Sequence, residues 1–462
     1  MLRGAVRDRA RPSEGPGAVQ KSVDQVLAEA VARHADGDAV AARALFETVL
    51  ALDPSNAIAS HQLGLLAFAA GEVGSAVGLL RRATEADARD PEYRNNLGVA
   101  LNAAGDLPGA AAAFEAALAL DGSLAQAANN LASTLEAVGD DAAAIGAYRR
   151  ALAIDPGYLE ARDNLALTLG RVAPPWHFPM MADAARNSAY DRALRRLAPG
   201  RRVLDIGSGS GLLAMMAARA GAASVTTCEM VAPIAAAARD IIAANGLADR
   251  VTLHAKRSDQ LDVGRDMAER ADVLVTETFA SGLLSESVLP TLEDARRRLL
   301  APEAVVIPRR AIALGYLVGG PAVEAQVRAS ASTGFDLSPF DRFAPVKLGL
   351  HLDRIPHDVM SEDFEIFAFD LAGAAFPAER RTRAVVASAQ GRCVGVAQWL
   401  RLELDAETEY DNRPTPSAGA NGWMHVLYRF GNPLELTPGQ TVRLLCSHNR
   451  SAMTVDLAPD QA

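Results

Sequence analysis

The chain of 462 residues is poor in several kinds of residue, and each shortage excludes something. Only three cysteines occur, Cys228, Cys393 and Cys446, far apart. They form neither a disulfide framework nor a metal-ligand spacing, so no metal site is expected and a reducing cytoplasm is. Lysine occurs only at positions 21, 256 and 347, so nearly every cation is an arginine. No run approaches 18 apolar residues free of charge, so no transmembrane helix is expected and no membrane partner with it. The opening stretch "MLRGAVRDRARPSEGPGAVQK" lacks the apolar core of a secretory signal. Its Gly, Pro, Asp8 and Glu14 read as a disordered tail over 1–22 rather than a transit peptide. Excess cation is also missing. The formal net charge is −10, which argues against nucleic acid as a main partner and suits a basic ligand or protein.

Half of the residues are hydrophobic, and the length has room for about three domains. The first third repeats itself. Asp53, Asp87, Asp121 and Asp155 are spaced by 34, as are Gly37, Gly71, Gly105 and Gly139. Phe46, Leu80, Phe114 and Tyr148 keep the same step, as do Asn96-Leu97, Asn130-Leu131 and Asn164-Leu165. Each unit holds two alanine-rich amphipathic stretches with the glycine between them, where a tight helix-to-helix turn needs a residue without Cβ. Period and turn chemistry resemble the tetratricopeptide repeat, an α-helical solenoid, over 23–173. "NLALTLGRVA" (164–173) reads as its closing helix. Such arrays bind peptides or proteins along a concave surface, or serve as spacers and self-association elements. "VAPPW" (172–176) breaks the helical pattern and marks a boundary.

From 174 to 308 strands alternate with helices, the pattern of a doubly wound, Rossmann-like α/β domain. "RVLDI" is a short strand, "GSGSG" a glycine loop, "LLAMMAARAGA" a helix and "SVTTCE" a second strand. Gly207, Gly209 and Gly211 let a ligand approach the backbone at a helix N-terminus. Glu229, ending the second strand, suits a ribose diol. The motif alone is compatible with NAD, FAD or S-adenosylmethionine. Its G-x-G-x-G spacing, with Leu212 where a dinucleotide needs room, favours a ligand without pyrophosphate. The fourth strand, "ADVLVTE", ends in Glu277, and "TETFASGLLSES" sets Glu286 nine residues later. Two acids so spaced are either solvated charges on a loop or a carboxylate clamp for a cation. Ligands bind beyond the C-terminal ends of such strands, where Glu277 lies.

These residues resemble the protein arginine methyltransferase family. Its glycine loop is similar to "VLDIGSGSG", its ribose acid matches Glu229, and its double-glutamate loop matches Glu277 and Glu286. Its H-x-x-M-L-x-D-x-x-R helix is similar to "HFPMMADAAR", with His177, Met180, Met181, Asp183 and Arg186. The resemblance spans roughly 176 to 310, and with the repeats it is most similar to the repeat-bearing branch. It implies S-adenosyl-L-methionine as donor, bound by His177, Met180, Arg186, Asp205, Gly207, Gly209 and Glu229, with Arg186 on the donor carboxylate and Arg257 and Ser258 by the adenine. It implies Glu277 and Glu286 as the catalytic pair. Met181, Gln398 and Trp399 would lie by the substrate; "VAQWLRL" is the stretch nearest to the family's later His-Trp loop, with Gln where the family has His. That branch commonly carries a second, degenerate methyltransferase unit, for which this chain has no room. A homodimer would have to supply any two-unit assembly.

The chemistry accords with the pair. A guanidinium is delocalised and a poor nucleophile. Two carboxylates can hold it in line and draw its charge towards the nitrogens that do not attack. From 309 to 462, β-branched runs such as "RRAIALGYLVGG", "DFEIFAFDL" and "QTVRLLCSH" are broken by turns, which predicts antiparallel sheet. The resemblance implies a β-barrel that walls the substrate groove. "STGFDLSPFDRFAPVKLG" is a long loop able to reach a partner. The expected function is methyl transfer to arginine in a protein recruited by the repeats. The alternatives are an adaptor with a vestigial methyltransferase unit, or a small-molecule guanidine or amine N-methyltransferase.

Overall fold

The computed structural model describes residues 21–329, 333, 335–415 and 423–459. Most of the tail expected over 1–22, and residues 332 and 334 of the long loop, lie outside the described residues. The chain divides into two compact units, parting between Leu169 and Gly170.

The first unit consists of helical hairpins. Its helices are α1 (Val23–Ala35), α2 (Ala39–Leu52), α3 (Ala57–Ala69), α4 (Val73–Ala86), α5 (Pro91–Ala103), α6 (Leu107–Leu120), α7 (Ala125–Ala137) and α8 (Asp141–Ile154), and α9 (Leu159–Val172) runs across the division. Each repeated column has a distinct task. The four glycines between paired helices all have φ near +80°, which a Cβ would strain. The four aspartates each end a helix, and their carboxylates accept the N–H two residues on, at Ser55, Arg89, Ser123 and Gly157. Phe46, Leu80, Phe114 and Tyr148 are buried in the stack. The asparagines bridge repeats: Asn96 meets His61 at 2.8 Å, Asn130 donates to Asn95 at 3.2 Å and Asn164 to Asn129 at 3.4 Å.

The second unit begins with a short helix, α10 (His177–Ala182), and α11 (Ala184–Leu197). A five-stranded parallel sheet follows, ordered β3-β2-β1-β4-β5. The strands are β1 (Arg202–Ile206), β2 (Ser224–Cys228), β3 (Val251–His254), β4 (Ala271–Thr276) and β5 (Leu300–Ile307). Helices α12 (Leu212–Arg219), α13 (Ala232–Ala244) and α14 (Val288–Arg298) connect them. Strand order reverses between β1 and β4, so the loops leaving them open a crevice at their C-terminal ends.

The remaining residues form two antiparallel sheets. The larger contains β6 (Arg310–Gly319), then, beyond α15 (Pro321–Val327), β7 (Lys347–Leu350), β8 (Asp358–Val359) and β9 (Phe364–Asp370). The smaller is built from β10 (Glu379–Val386), β14 (Thr441–His448) and β15 (Met453–Leu457), while β11 (Gly391–Glu403), β12 (Glu409–Asp411) and β13 (His425–Leu436) join the larger. One hydrophobic core runs from Tyr190 and Leu194 through the parallel sheet to Phe430 and Leu444. The antiparallel sheets are therefore fixed to the α/β layer through a shared core.

Candidate active site

A cavity of about 580 Å³ occupies the crevice. Eleven predicted residues line it: His177, Met180, Met181 and Arg186 before the sheet, Gly207 and Gly209 after β1, Glu229 after β2, Arg257 and Ser258 after β3, and Glu277 and Glu286 after β4. Three do not. Asp205 is fully buried within β1, where it accepts a hydrogen bond from Thr227 Oγ1 at 2.8 Å. Burial raises its carboxyl to about 7. Gln398 is buried in β11; its amide donates to Ser281 O at 3.0 Å, bracing the double-glutamate loop from behind. Trp399 sits in a separate core with Tyr316 and Val318.

The glycine loop is tight. Gly207 and Gly209 have φ of +85° and +51°, and a Cβ on Gly207 would stand 2.6 Å from Thr278 Cγ2. The N–H groups of Gly207 and Ser208 both donate to Cys228 O, which ties the loop to β2. Glu229 accepts from Gly209 N at 3.0 Å and Val231 N at 2.9 Å. A carboxylate offers about four acceptor positions, so two remain for a diol.

Arg186 is the other anchor. Asp183 caps α11 by accepting from Arg186 N through Oδ1 at 3.0 Å. The Arg186 guanidinium, 4% exposed, forms an ion pair with Glu277 Oε2. It also donates to Asn187 Oδ1 at 2.6 Å, and Asn187 in turn donates to Met181 O. Arg186 Nε, Glu277 Oε1 and Ser208 Oγ are buried with no hydrogen-bond partner among the described residues. Buried polar atoms are rarely left so. A cavity with an unused guanidinium N–H, an unused carboxylate oxygen and an unused hydroxyl fits a ligand with both an acidic and a basic end, as the amino-acid part of S-adenosylmethionine has.

The glutamates differ. Glu277 is buried, and burial raises its carboxyl to about 7 against the opposing pull of Arg186. Glu286 is exposed, its surface opening into the cavity. Protein packed around it still raises its carboxyl, with His177 lowering it and Glu229 adding to the rise. Their loop is strained: Leu283 and Ser287 adopt φ of +67° and +57° without being glycine. Sequence reasoning missed two residues here. Tyr410 donates to Asp183 Oδ2 at 2.6 Å, and Trp423 packs 6.5 Å from its ring. Neither lies in a spacing that a linear pattern could have flagged.

Comparison with known proteins gives this geometry its relatives. Tetratricopeptide repeat models match residues 33–97 and 97–158, and the ribosomal protein L11 methyltransferase model matches 189–307. An arginine N(omega)-methyltransferase of Streptomyces achromogenes subsp. streptozoticus is 39% identical over 280 residues, 59% of this chain and 76% of that one. This chain belongs to the arginine N-methyltransferase family. The methyltransferase also matches protein arginine N-methyltransferase 7 of Oryza sativa subsp. indica, at 32% identity over 60% of this chain and 44% of that one. It thus spans less than half of the length of that relative. Among solved structures, the Trypanosoma brucei PRMT1 enzyme-prozyme complex with AdoHcy aligns at a TM-score of 0.54 and 23% identity, over 63% of this chain and 96% of that one. Arabidopsis thaliana protein arginine methyltransferase 10 aligns at 0.50 and 21%, over 60% and 90%. The fold of the second unit is shared with both. The methyl donor of the family is S-adenosyl-L-methionine, and the orphaned polar atoms of the cavity fit it.

Proposed function

We propose that the chain transfers a methyl group from S-adenosyl-L-methionine to an arginine guanidinium in a protein that its repeats recruit. The observation that carries this reading is the convergence of Arg186, Glu229, Glu277 and Glu286 on one cavity. The donor supplies an activated methyl group; every other task falls to side chains. Arg186 and Glu229 would hold its two polar ends. Glu277 and Glu286 would grip the incoming guanidinium by charge-assisted hydrogen bonds and localise its charge away from the attacking nitrogen. Glu277, raised to about 7, is suited to accept the proton released after transfer. The repeats suit a basic protein: residues 21–169 contain twenty carboxylates against ten Lys and Arg side chains.

Two further parts belong to the proposal. A second copy of the chain would dock through the exposed Phe335, Phe340, Phe343 and Val346. The setting would be the cytoplasm, in accord with three free, buried thiols. A second substrate reading has one observation in its favour, the Streptomyces relative being named for arginine rather than for protein arginine. Incubation of the full chain with radiolabelled donor, offering an arginine-rich protein beside free arginine, separates the readings. Label recovered on arginine residues of the protein supports the proposal. Label only on the free amino acid replaces it with the small-molecule reading, and no label on either rejects both.

A further inference from the structure

The bond from Tyr410 to Asp183 joins residues 227 apart in sequence and crosses from the antiparallel sheets to the helix that opens the donor site. Each participant is committed. Tyr410 is 6% exposed and its phenol is held well above its ordinary pKa by burial and by the Asp183 carboxylate, so it remains a donor. Asp183 is 7% exposed and uses both oxygens, Oδ1 on Arg186 N at 3.0 Å and Oδ2 on Tyr410 at 2.6 Å. Arg186, two bonds on, pairs with Glu277. The line Tyr410–Asp183–Arg186–Glu277 therefore runs from β12 to the buried member of the glutamate pair. The helix before it has little else to hold it: α10 buries none of its residues, and Phe178 is 66% exposed. An aspartate needs only one oxygen to cap a helix. The second is engaged by a tyrosine from another layer, so the cap is oriented as well as made.

We propose that Tyr410 is a positioning residue: by fixing the Asp183 carboxylate it sets the direction of the Arg186 guanidinium towards both the donor carboxylate and Glu277. This rests on the reading that the cavity binds the donor. The test uses the full chain and three variants, Tyr410→Phe, Asp183→Ser and the two combined. Phenylalanine keeps the ring against Trp423 and loses only the hydroxyl. Serine keeps an N-cap oxygen and loses the reach to Tyr410. Donor affinity is read by calorimetry and kcat by methyl transfer. Each single variant is predicted to weaken donor binding about tenfold, the usual scale for losing a hydrogen bond to a charged group, with folding checked by circular dichroism. The combined variant is predicted to lose no more than either alone, because one bond is broken once. Additive losses indicate separate packing effects and overturn the proposal, as does wild-type donor affinity in either single variant. If Tyr410→Phe does not fold, Asp183→Ser decides alone by the same criterion. Failure of the unaltered chain to bind donor would instead remove the donor-site reading itself.

Discussion

Lowering the pH from 8 to 6 is predicted to switch the enzyme off through Glu277. An ordinary glutamate titrates at about 4.3 and would stay ionised throughout. Burial raises the Glu277 carboxyl to about 7, more than Arg186 lowers it. A group titrating at about 7 is roughly nine-tenths ionised at pH 8 and roughly one-tenth at pH 6. Only the carboxylate can grip a guanidinium, so kcat/KM for the arginine substrate should fall about tenfold across that range. Because kcat/KM reports the free enzyme, its acid limb belongs near 7. The limb in kcat belongs lower, since a bound guanidinium favours the ionised form. Stability runs the other way. The folded chain holds more protons than the unfolded chain between about 4.5 and about 7, so this group's contribution to stability declines as pH rises through that window. The pH that arms the carboxylate thus costs some stability. Initial rates at low substrate from pH 5.5 to 8.5, with donor saturating, check the limb. A flat kcat/KM between pH 6 and 8 would refute the assignment of Glu277 as the group that must be charged.

Other consequences are as direct. Gly207→Ala puts a methyl 2.6 Å from Thr278 Cγ2 at φ +85°; a stability loss of about 1–3 kcal/mol and weaker donor binding should appear in thermal melts and calorimetry. Glu229→Gln should weaken donor binding about tenfold, and should weaken a donor analogue lacking one ribose hydroxyl by less. Phe114→Ala, deep in the helical stack, should cost the repeats about 3–5 kcal/mol in urea unfolding while donor affinity is unchanged.

The repeats were legible because a solenoid writes its contacts into the sequence at a fixed period. Each of the four columns maps to one local task, a turn, a cap, a core contact or a bridge to the neighbouring repeat. The parallel sheet was legible for a related reason: its buried strands are short apolar runs ended by the acids and glycines that face the crevice. The ends of strands were less so. β5 begins at Leu300, two residues after α14 ends at Arg298, because strand pairing of Leu300 with Ala271 and of Val305 with Val273 decides it. The antiparallel sheets were visible only as a class, since register depends on distant partners. For the same reason Gln398 and Trp399, chosen by likeness of a short stretch, lie behind the cavity wall. Gln398 reaches the loop backbone and Trp399 faces another core. Tyr410 stayed hidden because its significance is a hydrogen bond to a residue on a different layer.

The most direct test of the account is transfer of radiolabelled methyl to an arginine-rich protein by the unaltered chain, by Glu277→Gln and by Glu286→Gln, with donor affinity measured for each. Glutamine keeps the shape and removes the charge that the guanidinium requires. The account predicts label on arginine with the unaltered chain, a loss of at least about a hundredfold in each variant, and donor binding by Glu286→Gln close to that of the unaltered chain. Full transfer by Glu286→Gln would contradict the carboxylate clamp.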